Sequence, residues 1–461
     1  MHTTTHYDYV IIGAGLTGLS LVAFLQAQGA RVAIVEQANR PGGKLHTVTQ
    51  AGYTFESGPN TGVVANDAVL ALFDLLKGHT ALVEANKASA IRYVLKDGRP
   101  VALPTRFWSA ITTPLFSWRD KLNILIEPFR PRGKTTYESV GELVRRRLGQ
   151  SFYDYAVDPF ISGIYAGDPD TLIARYALPK LYRLEALHGS FIRGAWARRH
   201  ILKAEKARGI SKAIFSVAGG MGRLIEALVE VVGRETLTLG AKDVRLVQSG
   251  RQWQAHFIQN GQAQHITATR AISTVAAQAL PSLLPQVESS LLTPITAMRY
   301  APVVELGVGL ADDSRVPRGF GLLVPSKARE RVLGILFTSQ CYAGRAPKGG
   351  ASLSVFMGGM RQPEVTTLSD EALTAIALDA ITRYFGYDTP PTPEVIHIAR
   401  HTQAIPQYEA DTPERLRAIG NIQLSYPNLY LAGSIADGIG IADRIQQAWR
   451  LAHFFYEQDS N

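Results

Sequence analysis

Gly13, Gly15 and Gly18 stand in the run Gly-Ala-Gly-Leu-Thr-Gly. A turn of that kind suits one chemistry above others: holding a pyrophosphate against backbone N–H groups at a helix start. Gly13 permits the tight turn, Gly15 lets the pyrophosphate approach the chain, and Gly18 lets helix and strand pack closely. Leu16 and Thr17 fall between them and complete the loop. Glu36 follows Gly18 by 18 residues. A carboxylate there is placed to accept ribose hydroxyls and would repel a 2′-phosphate. The elements that must position these groups come in order. Tyr7–Ile12 reads as a buried parallel strand, Leu19–Gln28 as an apolar helix closed by Gly29, and Arg31–Val35 as a second strand.

A glycine turn says only that a dinucleotide binds. Directly after Glu36 comes Arg40-Pro41-Gly42-Gly43-Lys44, a basic glycine-rich turn. Gly42, Gly43 and Lys44 can wrap the same pyrophosphate and approach a flavin, a second loop that NAD dehydrogenases do not need. At the far end, Pro427–Ser434 reads as a strand running into Gly433 and Ser434; Asp437–Ala442 follows, then a helix to about Tyr456. Gly440, Ile441 and Ala442 at that helix start would set N–H groups beside an electron-rich ring, where reduced flavin carries negative charge. The two ends together point to FAD.

At 461 residues the chain is too long for one ordinary core. Hydrophobic residues make up 46% and charged residues 19%, a globular balance. One cysteine, Cys341, excludes an internal disulfide and suits a reducing, cytoplasmic setting. The polar stretch before the first strand carries no signal-peptide pattern, and no apolar run reaches the roughly 18 residues of a spanning helix. The net charge of +9 favours anionic partners. Nucleic acid is the weakest of these, for lack of zinc-finger spacing or an RNA-binding signature. His397 and His401 lie four apart, but their neighbours Val395, Ile396 and Ile398 read as strand, so no metal site is expected.

The blocks between the two ends carry a resemblance. Gly52–Asn60, Asp158-Pro159-Phe160-Ile161-Ser162-Gly163-Ile164-Tyr165-Ala166-Gly167-Asp168-Pro169, Gly189-Ser190, Val217–Leu224, Gly319–Pro325, Gly334–Ser339 and Ala404–Tyr408 resemble blocks of the flavin-containing amine oxidase clan. Within it they resemble the oxygen-dependent protoporphyrinogen and coproporphyrinogen oxidases. Three places depart from that pattern. Ser434 stands where Asn is usual, Arg444-Ile445 with Gln446-Gln447-Ala448 where Cys-Ile and then Gly are usual, and Leu172-Ile173 where Leu-Ser is common.

The resemblance implies an α/β fold with three parts: a Rossmann-like FAD domain (1–85, 208–292 and 402–461), a mixed-sheet substrate domain (86–102 and 293–401) and a helical insertion (103–207). It adds Gly58, Pro59, Asn60 and Val244 to the FAD contacts, Val244 holding adenine through its backbone. It implies a porphyrinogen as substrate and O2 as acceptor, in haem biosynthesis. Arg92 would pair with a propionate as only a guanidinium can, in bidentate fashion. Asn60, Gly163, Tyr165, Leu323 and Phe337 would complete the substrate site. No general base is assigned, since no such constellation stands out and the flavin carries the chemistry. A carotenoid-type desaturase or an amine oxidase of the same clan stays open as an alternative, as does a homodimer.

One further segment bears on partners. From Arg106 to Arg132, Phe107, Trp108, Ile111, Leu115, Phe116, Trp118, Leu122, Ile124, Leu125, Ile126 and Phe129 alternate with Arg106, Arg119, Lys121, Arg130 and Arg132. Tryptophans flanked by cations suit peripheral attachment to an anionic lipid surface, on the cytoplasmic face of a membrane. A second basic stretch, Arg198 to Lys212, could add to it.

Overall fold

The computed structural model describes residues 6–104, 109, 112–133 and 135–460. Arg106, Phe107, Trp108 and Ile111 of the basic-aromatic segment lie outside the described residues. Five strands run parallel in the first seven-stranded sheet, in the order Leu237–Thr238, Val32–Val35, His6–Ile12, Gln262–Ser273 and Leu429–Leu431. The hairpin Lys242–Ser249/Gln252–Gln259 joins the first half of Gln262–Ser273 antiparallel. Val10 and Ile11 are wholly buried, as parallel strands covered on both faces must be. Helices Leu16–Ala27, Met221–Val232 and Ile441–Ser460 cover one face, and Leu280–Leu283, Ser289–Thr296 and Thr412–Ser425 the other.

The second seven-stranded sheet is mixed. Its order is Val395–Pro406, Tyr300–Leu310, Ala351–Gly358, Val332–Leu336, Gly321–Leu323, Arg92–Lys96 and Arg99–Ala102. Alternation divides its faces. Val304, Leu306, Val308 and Leu310 pack with Leu353, Val355 and Met357 under helix Asp370–Phe385. The opposite face carries Val303, Glu305, Gly307 and Gly309. The last two admit the rings of Phe55 and Tyr53, from the hairpin Thr47–Gln50/Tyr53–Glu56.

Residues between the sheets form helices held by charge as much as by apolar contact. Helix Val140–Arg147 begins at a Ser139/Glu142 capping box. Arg147 at its end is wholly buried and pairs with Glu127 and Glu185. Its guanidinium also reaches Gly189 O, while Ser190 Oγ and Phe191 N donate to Glu127. The Gly189-Ser190 block thus closes a buried ion network. Asp158 and Asp168, at the two ends of the central motif, are both held by Arg361, at 2.8 Å for Asp168.

Three expectations change. Leu115 and Phe116 face inward, Phe116 stacking on Phe152 at 3.9 Å between centroids, so they leave the interfacial set. Phe337 is wholly buried on the covered face of the second sheet, edge-on to Phe385. It is a core residue, not a substrate wall. Tyr165 is buried in the helical core, its hydroxyl donating to Ala177 O at 2.5 Å and its ring edge-on to Tyr408. It props the motif rather than facing a ligand.

Candidate active site

The phosphate loop has the geometry its glycines suggest. A Cβ on Gly18 would lie 2.0 Å from Gly13 O, so only glycine lets the helix sit this close to the strand. A Cβ on Gly15 would meet no heavy atom within 4 Å. The helix it opens has neither a side-chain cap nor an acid in its first turn, leaving its N–H groups for an anion. Gly42 N donates to Ala14 O at 2.7 Å and Gly43 lies against Gly15 Cα, so the two glycine loops form one cradle. Glu36 accepts Ala14 N at 2.7 Å on one oxygen and Ala38 N at 2.8 Å on the other. Each oxygen keeps lone-pair capacity for ribose hydroxyls. These residues fit a dinucleotide.

Val244 lies in a bulge of its hairpin, where Asp243 and Val244 together oppose one residue and Asp243 adopts φ 51°. The bulge takes their backbone groups out of the ladder, as an adenine edge would need. Lys44 does something the sequence did not suggest. Its Nζ donates to Gln403 O at 2.6 Å and to Ala404 O, tying the basic loop to the second sheet. Desolvation lowers its pKa to about 8. Gly58 is another forced glycine, since a Cβ would lie 2.2 Å from Lys44 O.

At the C-terminal block, Gly433 N donates to Gln447 Oε1 at 2.8 Å, and Arg444 donates to the same oxygen at 2.8 Å. Two residues of one departure from the family pattern, Arg444 and Gln447, therefore form a joint beneath Gly433. Tyr408 Oη caps the same loop through Asp437 O at 2.5 Å and Ser434 O at 3.3 Å. Gly440 N is taken by Asp443 Oδ2 at 3.2 Å, and Ile441 and Ala442 open the last helix directly after it.

Cross-strand register assembles the rest. One row of the sheet face opposite helix Asp370–Phe385 runs Arg92, Gly321, Leu336, Ser354, Gly307; the next runs Val94, Leu323, Gly334, Phe356, Glu305. Gly163, on helix Asp158–Tyr165, sits over Leu323, a Cβ there lying 2.6 Å from its Cδ2. Arg92 is exposed and its guanidinium lies 5.4 Å from the Phe320 ring centroid. No carboxylate among the described residues pairs with it. Asn60 closes the other end, its Nδ2 donating to Glu305 Oε1 at 2.6 Å and to Gly58 O at 3.0 Å. Half-buried Leu333, Phe356 and Met360 add apolar surface near Ala166.

Several of these groups were not visible in the sequence. Glu305 is a single acid in an apolar strand, and Arg361 and Arg345 lie far along the chain from the acids they hold. Arg345 pairs with Glu56 at 2.7 Å, both buried. His397 and His401 turn to Ser57, at 2.8 Å to its Oγ and 2.6 Å to its carbonyl.

Comparison with known proteins agrees with this architecture. A family model described as flavin containing amine oxidoreductase matches residues 16–452. The chain is 28% identical to protoporphyrinogen oxidase 2, chloroplastic/mitochondrial, of Arabidopsis thaliana, over 96% of this chain and 92% of that one. It is 26% identical to coproporphyrinogen III oxidase of Bacillus subtilis (strain 168), covering 95% of each. A crystal structure from Exiguobacterium sp. 255-15, provisionally assigned as a protoporphyrinogen oxidase, superposes with a TM-score of 0.80 at 22% identity, covering 99% of both chains. With its two-loop cradle and this full-length likeness, the chain belongs to the flavin-containing amine oxidoreductases and is an FAD-dependent oxidoreductase similar to the porphyrinogen oxidases.

Proposed function

We propose that this chain oxidises a porphyrinogen, protoporphyrinogen IX or coproporphyrinogen III, to the porphyrin with O2 as acceptor. The observation that carries the reading is the span between Arg92 and Asn60. Arg92 and Ser354, which donates to Asn60 Oδ1, lie three strands apart in one register row, roughly 14 Å at the usual strand spacing. Between the two ends the face is apolar or glycine. A free guanidinium at one end and a fixed amide at the other suit a wide macrocycle with a carboxylate arm.

When bound, FAD supplies hydride acceptance and reoxidation by O2. Overall, the macrocycle loses three hydrides and three protons while three O2 become three H2O2. The chain's own residues divide the remaining work. Arg92 holds a propionate by paired N–H bonds. Leu323, Phe356 and the backbone at Gly163 flank the ring, and Asn60 fixes the edge nearest Gly58 and Pro59. Anaerobic mixing with each porphyrinogen tests the reading: one or both should bleach the flavin band, and bleaching by neither rejects it. Arg92→Ala should slow bleaching by either porphyrinogen, whereas a desaturase acting on a hydrocarbon would be indifferent to it.

The outer helices favour delivery from an anionic lipid surface. Among the described residues no helix is long and apolar enough to cross a membrane. Phe129, Trp118 and Trp196 are nevertheless 81%, 67% and 66% exposed. A cation lies over each ring: Arg193 at 5.8 Å, Lys121 at 4.4 Å and Arg199 at 4.0 Å from the centroids. Sedimentation with phosphatidylserine vesicles should capture the protein, and Trp118→Ser with Phe129→Ser and Trp196→Ser should release it.

A further inference from the structure

Glu305 is an acid beside the proposed site whose place there the reaction above leaves unexplained. It sits mid-strand in Tyr300–Leu310 and is 2% exposed, on the face that carries the proposed substrate surface. Among the described residues no cation pairs with it. Its contacts are Asn60 Nδ2 at 2.6 Å and the Ser354 hydroxyl, which also donates to Asn60 Oδ1 at 3.3 Å. Both edges of the Asn60 amide are therefore fixed from below, by an acid and by the serine that acid also touches.

The surroundings disfavour a carboxylate. From the covering hairpin the nearest charge is Glu56, itself an anion whose partner Arg345 is fully engaged with it and with Ser216. Tyr53 of that hairpin is bonded to Glu394 and Leu310 O. From strand Ala351–Gly358 the facing groups are Ser354 and Phe356; from Val395–Pro406, Ala399 lies directly opposite, with His397 and His401 two positions to either side. Both histidines are bonded to Ser57, and burial lowers their pKa values. Among the described residues nothing on any packed element offers a compensating positive charge.

We propose that Glu305 is a positioning residue of the oxidation site that works as the neutral acid, locking the Asn60 amide, and that its ionisation sets the alkaline limit of flavin reduction. An ionised Glu305 would draw the Ser354 hydroxyl away from Asn60 Oδ1. It would also place negative charge behind a site that must accept a hydride. Burial pushes its pKa up to about 8, in line with the geometry.

The inference rests on the reading proposed above, in which Asn60 fixes the substrate edge nearest Gly58 and Pro59, and on the FAD contact that the resemblance implies for Asn60. The test compares wild type, Glu305→Gln and Glu305→Ala as FAD-loaded proteins from pH 6.5 to about 9. The anaerobic rate of flavin bleaching by porphyrinogen should fall roughly tenfold in wild type one unit above the titration. Glu305→Ala should be slow throughout; Glu305→Gln, which keeps the neutral shape, should regain most of the lost rate and show no alkaline fall. The flavin midpoint potential, which needs no substrate, should break downward with pH in wild type and not in Glu305→Gln. A shared alkaline limb, coincident potential curves, or a glutamine variant as slow as alanine overturns the proposal. If no porphyrinogen bleaches wild type, the substrate reading fails alone, and the potential curves still decide the role of Glu305.

Discussion

Two glycines three residues apart should fail in opposite ways when each is given one methyl group. Gly15 has φ −77° and ψ −177°, which alanine adopts freely, and its Cβ would meet nothing within 4 Å. Gly15→Ala should cost the apoprotein only the weaker N-cap, about 0.5–1 kcal/mol. The methyl would nevertheless stand where a pyrophosphate must reach the backbone. Crowding of that size costs about 1–3 kcal/mol, or roughly 5- to 150-fold in FAD affinity. At Gly18 the methyl would lie 2.0 Å from Gly13 O and 3.3 Å from Ile34 Cδ1. No rotamer relieves a clash with backbone, so the helix must lift from its strand at about 1–3 kcal/mol or more in the apoprotein itself. Urea melts of the apoproteins, paired with FAD titration followed by flavin fluorescence, separate the two. Wild-type FAD affinity in Gly15→Ala, or wild-type apoprotein stability in Gly18→Ala, would refute the cradle.

Arg92→Ala should raise the porphyrinogen KM about tenfold with a smaller change in kcat, since the arginine binds an arm remote from the reacting carbon; Arg92→Lys should recover only part of the loss, measured by steady-state oxidation. Glu305→Gln should change stability with pH. The folded state holds a proton on Glu305 between about pH 4.5 and 8 that the unfolded chain releases, so wild type loses stability as pH rises through that window. The variant should gain on wild type across it by up to ~5 kcal/mol, read from urea melts at pH 5 and 8. Arg147→Met should destabilise by about 3–5 kcal/mol, because Glu127 would stay buried without its cation while Glu185 keeps only Arg146; chemical denaturation should show it, and an unchanged midpoint would remove the network from the account.

The ends of the chain were legible because their chemistry is local. Gly13, Gly15, Gly18 and Glu36 lie within 24 residues of one another, and the strand, turn and helix they demand leave a period-and-glycine signature. The Ser139/Glu142 capping box that opens helix Val140–Arg147 is local in the same way. Lys44 shows where local reading ends. Its type and place suggest a phosphate ligand, yet its ammonium reaches carbonyls about 360 residues away in sequence. The central motif shows it again. Asp158 and Asp168 stand at its two ends and are clamped by Arg361, while Tyr165, expected at the substrate, is tied to Ala177 O in the helical core.

Cofactor and family were legible in the chain alone, since both rest on short runs whose residues touch their neighbours in the chain. Which residues share the proposed oxidation site depends on packing. Phe337 and Leu336 are adjacent, and strand alternation sends one into the core and the other into the row that begins at Arg92. Asn60 and Glu305 are 245 residues apart and meet through one hydrogen bond. Sheet register and burial set those pairings, and both are properties of the packed chain that no local run of residues encodes.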